Sequence, residues 1–236
     1  MTVAPLARAA LAILAAAAAA GTGWVVFGSA ATVTVTPKNH SAFRVCVLTA
    51  YPTTSTVEID SWVDENSKST THGSATTLSI SSLLSKNTRA FVRFDLSKCT
   101  PAIAASATVA QATMRLFLNL NPTSSRTYNV NRVTTPCPEN ATTCWSESGL
   151  TWNNQPSVVA TPTATLALSG SSAKTYYSLD LTTDVAGMVA GTVPNDGWRI
   201  ADANEGSSLV SKITFEAKNT TSNPDGAPQL TVVYRP

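Results

Sequence analysis

Arginines and phenylalanines recur at alternate positions along two apolar runs, and together these side chains could perform one kind of chemistry. In residues 89–96, β alternation puts Arg89, Phe91, Arg93 and Asp95 on one face. Ala90, Val92, Phe94 and Leu96 take the other face, which reads as core. In residues 113–118 the core face is Met114, Leu116 and Leu118, and the opposite face carries Thr113, Arg115 and Phe117. Arg132 follows Val130 on the next run. If these strands are neighbours, guanidinium groups and two flat rings meet on one sheet surface. Guanidinium forks grip carboxylates bidentately, and rings accept the apolar faces of pyranoses. That is the chemistry needed to hold an acidic sugar polymer. The competing reading keeps the same residues inside the fold. Arg93 would then pair with Asp95, Asp60 or Glu216, and Phe91 and Phe117 would form a second core layer under a loop.

A second constellation is Trp145-Ser-Glu-Ser-Gly-Leu-Thr-Trp-Asn-Asn-Gln-Pro156. Trp145 can stack on a sugar ring, and the pair Asn153-Asn154 can hold hydroxyls. Trp152 reads as core, with Glu147 and Asn153 satisfying loop backbone groups. Asp60, Asp64 and Glu65 are candidate ligands for a structural calcium, although carboxylates in such turns more often accept backbone N–H groups. No other cofactor is expected.

Catalytic patterns are poorly represented. Gly170-Ser-Ser172 lacks a nucleophile elbow, and the only two histidines are His40 and His72, in early polar segments. Glu147 and Asp180 are the plausible carboxylate pair for glycoside cleavage, without supporting context. No glycine-rich phosphate loop occurs. The expectation is that the chain is not an enzyme.

The elements that must position these residues are strands. After an uncharged leader over residues 9–27, short apolar runs alternate with turn clusters, the all-β pattern. Strands are expected at 32–36, 43–49, 56–63, 77–80, 90–96, 108–119, 127–133, 164–168, 175–181, 197–201, 210–217 and 229–234. One short helix is expected at 183–190, with Thr182 as its cap, Asp184 in its first turn and Gly191 at its end. Phe94-Asp-Leu-Ser97 and Leu179-Asp-Leu-Thr182 echo each other as turns in which Asp95 and Asp180 accept N–H groups.

Charged residues make up only 13% of the 236-residue chain, against about 25% in typical soluble domains. The net charge of +2 predicts no nucleic-acid partner. The leader follows Arg8 and is followed by small residues, the pattern of a signal peptide. Its length, about that of a bilayer core, also suits an uncleaved anchor. Either reading sends the rest of the chain out of the cytoplasm, and contact with a membrane is expected only through this segment. Four cysteines agree with that compartment. Cys137 and Cys144 bracket a short loop and can pair, leaving Cys46 with Cys99. Four cysteines allow three connectivities, and no CxxC spacing supports zinc. Sequons occur at Asn39, Asn140 and Asn219.

The ordered series Asp60-Ser-Trp-Val-Asp-Glu65, Arg89-Ala-Phe-Val-Arg-Phe-Asp-Leu-Ser97, Trp145-Ser-Glu147, Leu150-Thr-Trp-Asn-Asn-Gln-Pro156, Leu179-Asp-Leu-Thr182, Asp196-Gly-Trp-Arg199 and Pro228-Gln-Leu-Thr-Val-Val-Tyr234 resembles the DNRLRE-type domain, also classed as carbohydrate-binding module family 96. The resemblance implies a jelly-roll-like antiparallel β-sandwich of surface or secreted proteins, some of which bind acidic polysaccharide such as alginate. The chain is accordingly expected to hold a leader over residues 1–31 and one β-sandwich over 32–236. Its expected partner is extracellular polysaccharide, held by Arg89, Phe91, Arg93, Arg115, Phe117, Arg132, Trp145 and Lys218. The alternative is a wall or matrix module without a small ligand. Two departures stand out. Where family members read Ser-Arg/Lys-Glu, this chain reads Ala217-Lys-Asn219, which leaves Lys218 without its usual acidic neighbour. Residues 32–57 add strand material ahead of the usual start.

Overall fold

A computed structural model describes residues 42–49, 57–134, 145–172, 174–208 and 211–236. The expected strand at 32–36, the leader, Cys137, Cys144, and the sequons at Asn39 and Asn140 lie outside these residues. The remaining apolar runs all become strands. They are β1 (Arg44–Thr49), β2 (Glu58–Asp64), β3 (Thr77–Ser82), β4 (Thr88–Phe94), β5 (Thr108–Leu120), β6 (Arg126–Arg132), β7 (Ala164–Leu168), β8 (Tyr176–Asp180), β9 (Trp198–Asp202), β10 (Ser211–Glu216) and β11 (Gln229–Arg235).

All pairings are antiparallel. One layer runs β1-β11-β5-β8. The other holds β10, β3, β4, β9, β6 and β7, with β2 against β4. The long β5 joins the two layers, because Leu118 and Leu120 near its end pair with β10 across a register shift. Met114, Leu116, Leu179, Leu230 and Val232 of the first layer meet Ile80, Val92, Phe94, Val130, Trp198 and Ile200 of the second in one core. The chain is therefore an antiparallel β-sandwich. Burying each such side chain contributes about 1.5–3 kcal/mol.

Among the described residues one α-helix, α1 (Thr182–Val189), adds Val185 and Met188 to that core. Thr182 is its first residue rather than its cap. Asp180 Oδ1 accepts the Thr182 N–H at 2.9 Å and its hydroxyl at 2.5 Å, so the aspartate stabilises the start instead. Asp95 does the same for Ser97, at 3.0 and 2.6 Å. The sequence echo is thus one turn built twice, with a short carboxylate supplying an acceptor to a backbone leaving a strand.

Gly197 opens β9 with a φ of +80°. A Cβ there would lie 2.4 Å from the Val92 carbonyl oxygen, so only glycine lets β9 come in beside β4. A disulfide joins Cys46 of β1 to Cys99 across a sequence separation of 53.

Candidate functional site

The outer face of β2 and β4 is not a surface. Residues 145–158 return across it and close a second, smaller core of Val63, Phe91, Val133, Trp145 and Leu150. Phe91 is completely buried, with Trp145 set edge-on at 5.9 Å. Trp145 is only 5% exposed, and its Nε1 donates to the Asp196 carbonyl at 2.9 Å. Both were expected to touch ligand, and both are packed out of reach. The outward side of a strand is solvent only where no loop covers it. The cover is held by a close approach at Gly73, where a Cβ would collide with the Glu147 carbonyl at 2.1 Å.

Arg89 and Arg93 flank the covered Phe91 on β4. Arg89 is clamped by Glu205, with Nε and Nη2 on its two oxygens at 2.7 and 2.6 Å, and Nη1 donates to Gln155 at 2.8 Å. Its guanidinium lies 4.3 Å from the centre of the Trp152 ring. Arg93 Nε donates to the Asn195 carbonyl at 2.8 Å, and none of its expected carboxylate partners takes that role. Arg132 faces the opposite way. It lies across from Trp198 on the core side of β6 and pairs with Asp184 of α1 at 3.3 Å. Asp184 Oδ2 also accepts Trp198 Nε1 at 2.8 Å and the Thr163 hydroxyl at 2.6 Å. This arginine secures the helix to the sheet.

Arg115 and Phe117 stand on β5, in the layer that does not contain β4. The expected convergence therefore does not occur, because β10 and β3 intervene in the strand order. On the outer face of their own sheet a different group assembles. Thr49, Gln229, Arg115 and Ser178 form one cross-strand row. The Arg115 guanidinium lies 4.2 Å over the Tyr176 ring, and Phe117 meets that ring edge-on at 5.5 Å. The Tyr176 hydroxyl donates to the Ala227 carbonyl at 3.1 Å and approaches that of Asp225, while Gln229 Nε2 donates back to it at 3.2 Å. Burial pushes the Tyr176 hydroxyl pKa up, opposed by the Arg115 charge. Among the described residues the one side-chain acceptor bonded by Arg115 is Gln229 Oε1, at 3.5 Å. Among the described residues Arg115 has no carboxylate partner. Tyr176 was not foreseen, although alternation along β8 groups it with the exposed Ser178 and Asp180.

Lys218 supplies a third location. Its backbone N–H bonds Asp60 Oδ2 at 2.8 Å, and its Nζ reaches Glu147 Oε2 at 2.5 Å and the Glu58 carbonyl at 3.3 Å. The partner missing at Asn219 is thus replaced by the glutamate of Trp145-Ser-Glu147. Glu58 and Asp60 lie behind it, both about 1% exposed. Burial raises the Glu58 pKa well above the usual carboxylate range, and the Asp60 charge adds to this. Asp60 is pushed up to about 7 by burial, although the Lys218 N–H opposes it. The Glu58 carboxyl oxygens have no donor among the described residues. Burial and the neighbouring Asp60 charge thus both disfavour the ionised form of Glu58. Glu147 and Lys218 also line an open cavity of about 580 Å³ whose hydroxyls come from Thr71, Ser74, Ser146 and Ser148.

The calcium candidates do not converge. Asp60 serves the Lys218 N–H, Asp64 accepts the Asn66 N–H at 2.8 Å, and Glu65 accepts Asn87 through its N–H at 3.0 Å and its amide at 2.6 Å. No group of three acidic, histidine or cysteine side chains among the described residues is arranged to hold a metal. Glu147 and Asp180 share no partner and face no common space: one binds Lys218, the other caps α1.

No curated protein matched the chain. The sequence pattern of carbohydrate-binding module family 96 matches residues 51–234, which takes in every strand of the sandwich except β1. The disulfide fits an oxidising, extracellular compartment, and no helix among the described residues is long and apolar enough to cross a membrane. The domain that carries Arg115 over Tyr176 and buries Trp145 with Phe91 belongs to carbohydrate-binding module family 96.

Proposed function

We propose that this is a non-catalytic, extracellular module that binds acidic polysaccharide on the outer face of the β1-β11-β5-β8 sheet. The observation that carries the reading is Arg115. It offers a guanidinium without a carboxylate partner among the described residues, stacked on Tyr176 beside Phe117. A uronate carboxylate would take the guanidinium edge, and a pyranose face would lie along the aromatic pair. Of the cations expected to bind ligand, Arg89, Arg93, Arg132 and Lys218 are tied to partners within the chain. Their pairing favours a second reading, a structural wall or matrix module with no small ligand.

The test is retention of the full chain on alginate, pectin, chitin and cellulose at low and high salt, with Arg115→Gln alongside. Charge-assisted hydrogen bonds contribute about 1.5–3 kcal/mol, so the variant should lose about tenfold or more in affinity for the acidic polymers. Salt should weaken the wild type in the same direction. A folded wild type that is retained on no polymer would move the assignment to the structural reading.

A further inference from the structure

In the second layer Arg199 has no bonded carboxylate among the described residues and is only partly covered. Arg199 lies on β9, across from Phe91 on β4 and Asn131 on β6. Alternation along β4 puts Arg89 on this same face. One carboxylate, Glu205, acts on both guanidinium groups, and Arg89 occupies both of its oxygens. Arg199 Nε is buried and has no acceptor among the described residues. Burial and the Arg89 charge both lower the Arg199 pKa, and the Glu205 charge opposes them only in part. The side chain remains partly exposed, and Trp152 and Gln155 crowd Arg89 beside it.

We propose that Arg199, backed by Arg89, forms a second oxyanion site for a carboxylate or sulfate group of a polysaccharide, on the sandwich face opposite Arg115. This rests on the reading of the domain as a polysaccharide binder. Two guanidinium groups facing one saturated carboxylate leave one positive charge in a poorly hydrated place, and a ligand anion supplies what the chain lacks. Because the two sites face opposite ways, one module can hold two polymer chains at once. Cross-linking of a gel would follow from the fold itself.

The test is calorimetric titration of the full chain with short oligo-uronates, sulfated oligosaccharides and neutral cello-oligosaccharides. The expected wild-type result is two equivalents of an acidic oligosaccharide per chain and none of the neutral one. Arg199→Gln and Arg115→Gln should each leave one equivalent. Glu205→Gln removes the competing carboxylate and should tighten the Arg199 site a few-fold, which a misfolded variant would not do. The uronate and sulfate arms show which oxyanion is preferred. One equivalent in the wild type, unchanged by Arg199→Gln and by Glu205→Gln, overturns the second site and leaves the Arg115 reading standing. No acidic oligosaccharide bound by the folded wild type overturns both.

Discussion

The buried pair Glu58 and Asp60 should make the domain more stable in mild acid than at neutral pH, the reverse of ordinary acid denaturation. An aspartate that titrates near 3.8 when unfolded and at about 7 when folded binds an extra proton in the native state between those values. Unfolding stability then falls as pH rises, by about 1.4 kcal/mol per unit for each such proton. The stabilisation is fully present below the unfolded pKa and is gone once pH passes the folded one. From pH 5 to pH 7, Asp60 alone should remove about 2–3 kcal/mol. Glu58, also raised, acts in the same direction.

Two groups act against this. Burial lowers the His72 pKa, so its contribution grows as pH rises toward its unfolded value. Asp180 is lowered by its Thr182 hydrogen bonds, so it loses stability only below the unfolded aspartate pKa. Neither cancels two buried carboxyls between pH 5 and 7. The assay is urea unfolding at intervals from pH 4.5 to 8, on the wild type and on Asp60→Asn, whose amide oxygen can still accept the Lys218 N–H. The wild type should lose stability across that range, and the variant should show a clearly shallower slope. Stability that rises from pH 5 to 7, or a slope unchanged in Asp60→Asn, would refute the reasoning.

Three further outcomes can be measured on the same protein. Removing the Cys46–Cys99 bridge with a double serine variant releases a loop closed across 53 residues, which by chain entropy should cost about 4 kcal/mol; thermal unfolding under oxidising conditions reads this directly. Trp145→Ala removes the lid of the smaller core and should cost about 3–5 kcal/mol, while Trp145→Phe forfeits mainly the bond to Asp196 and should cost about 1 kcal/mol. Lys218→Met leaves Glu147 and the Asp60–Glu58 pair without their cation and should cost about 3–5 kcal/mol, most of it relieved by lowering the pH.

Alternation carried most of the fold. Each expected strand within the described residues forms, with ends displaced by no more than about two residues, because one face of every run had to be apolar to meet a core. The same rule held a warning that was not used. Arg132 is two residues from the buried Val130, so alternation already aimed it inward, where it meets Trp198 and Asp184. Which strands share a layer was not legible. Pairing β5 with β11 and β8, and β4 with β2 and β9, depends on contacts between distant segments, and no local pattern encodes them. Nor was it legible that residues 145–158 would lie over β4, which turned Phe91 from a surface ring into core. Tyr176 and Arg199 escaped notice for the same reason: what distinguishes them is a neighbour from another strand.

Among the described residues five cations, Arg89, Arg93, Arg126, Arg132 and Lys218, act as ties between elements. Arg89 ties β4 to the turn after β9, Arg93 ties it to the turn before β9, and Arg132 ties β6 to α1. A partner within the chain, a carboxylate for Arg89 and Arg132 and a backbone carbonyl for Arg93, rather than residue type, marks the arginines that build the fold. The formal charge of +2 also counts Glu58 and Asp60 as ionised, whereas burial raises both pKa values and Asp60 takes up a proton below about 7. The module is thus more cationic in mild acid than its sequence indicates, while uronate carboxylates stay ionised down to the ordinary carboxylic range near 3–4. Retention on an acidic polymer at low salt should accordingly be stronger at pH 5.5 than at pH 8, and Asp60→Asn should reduce that difference. Retention independent of pH in the wild type would mean that the buried pair does not reach the binding faces through its field.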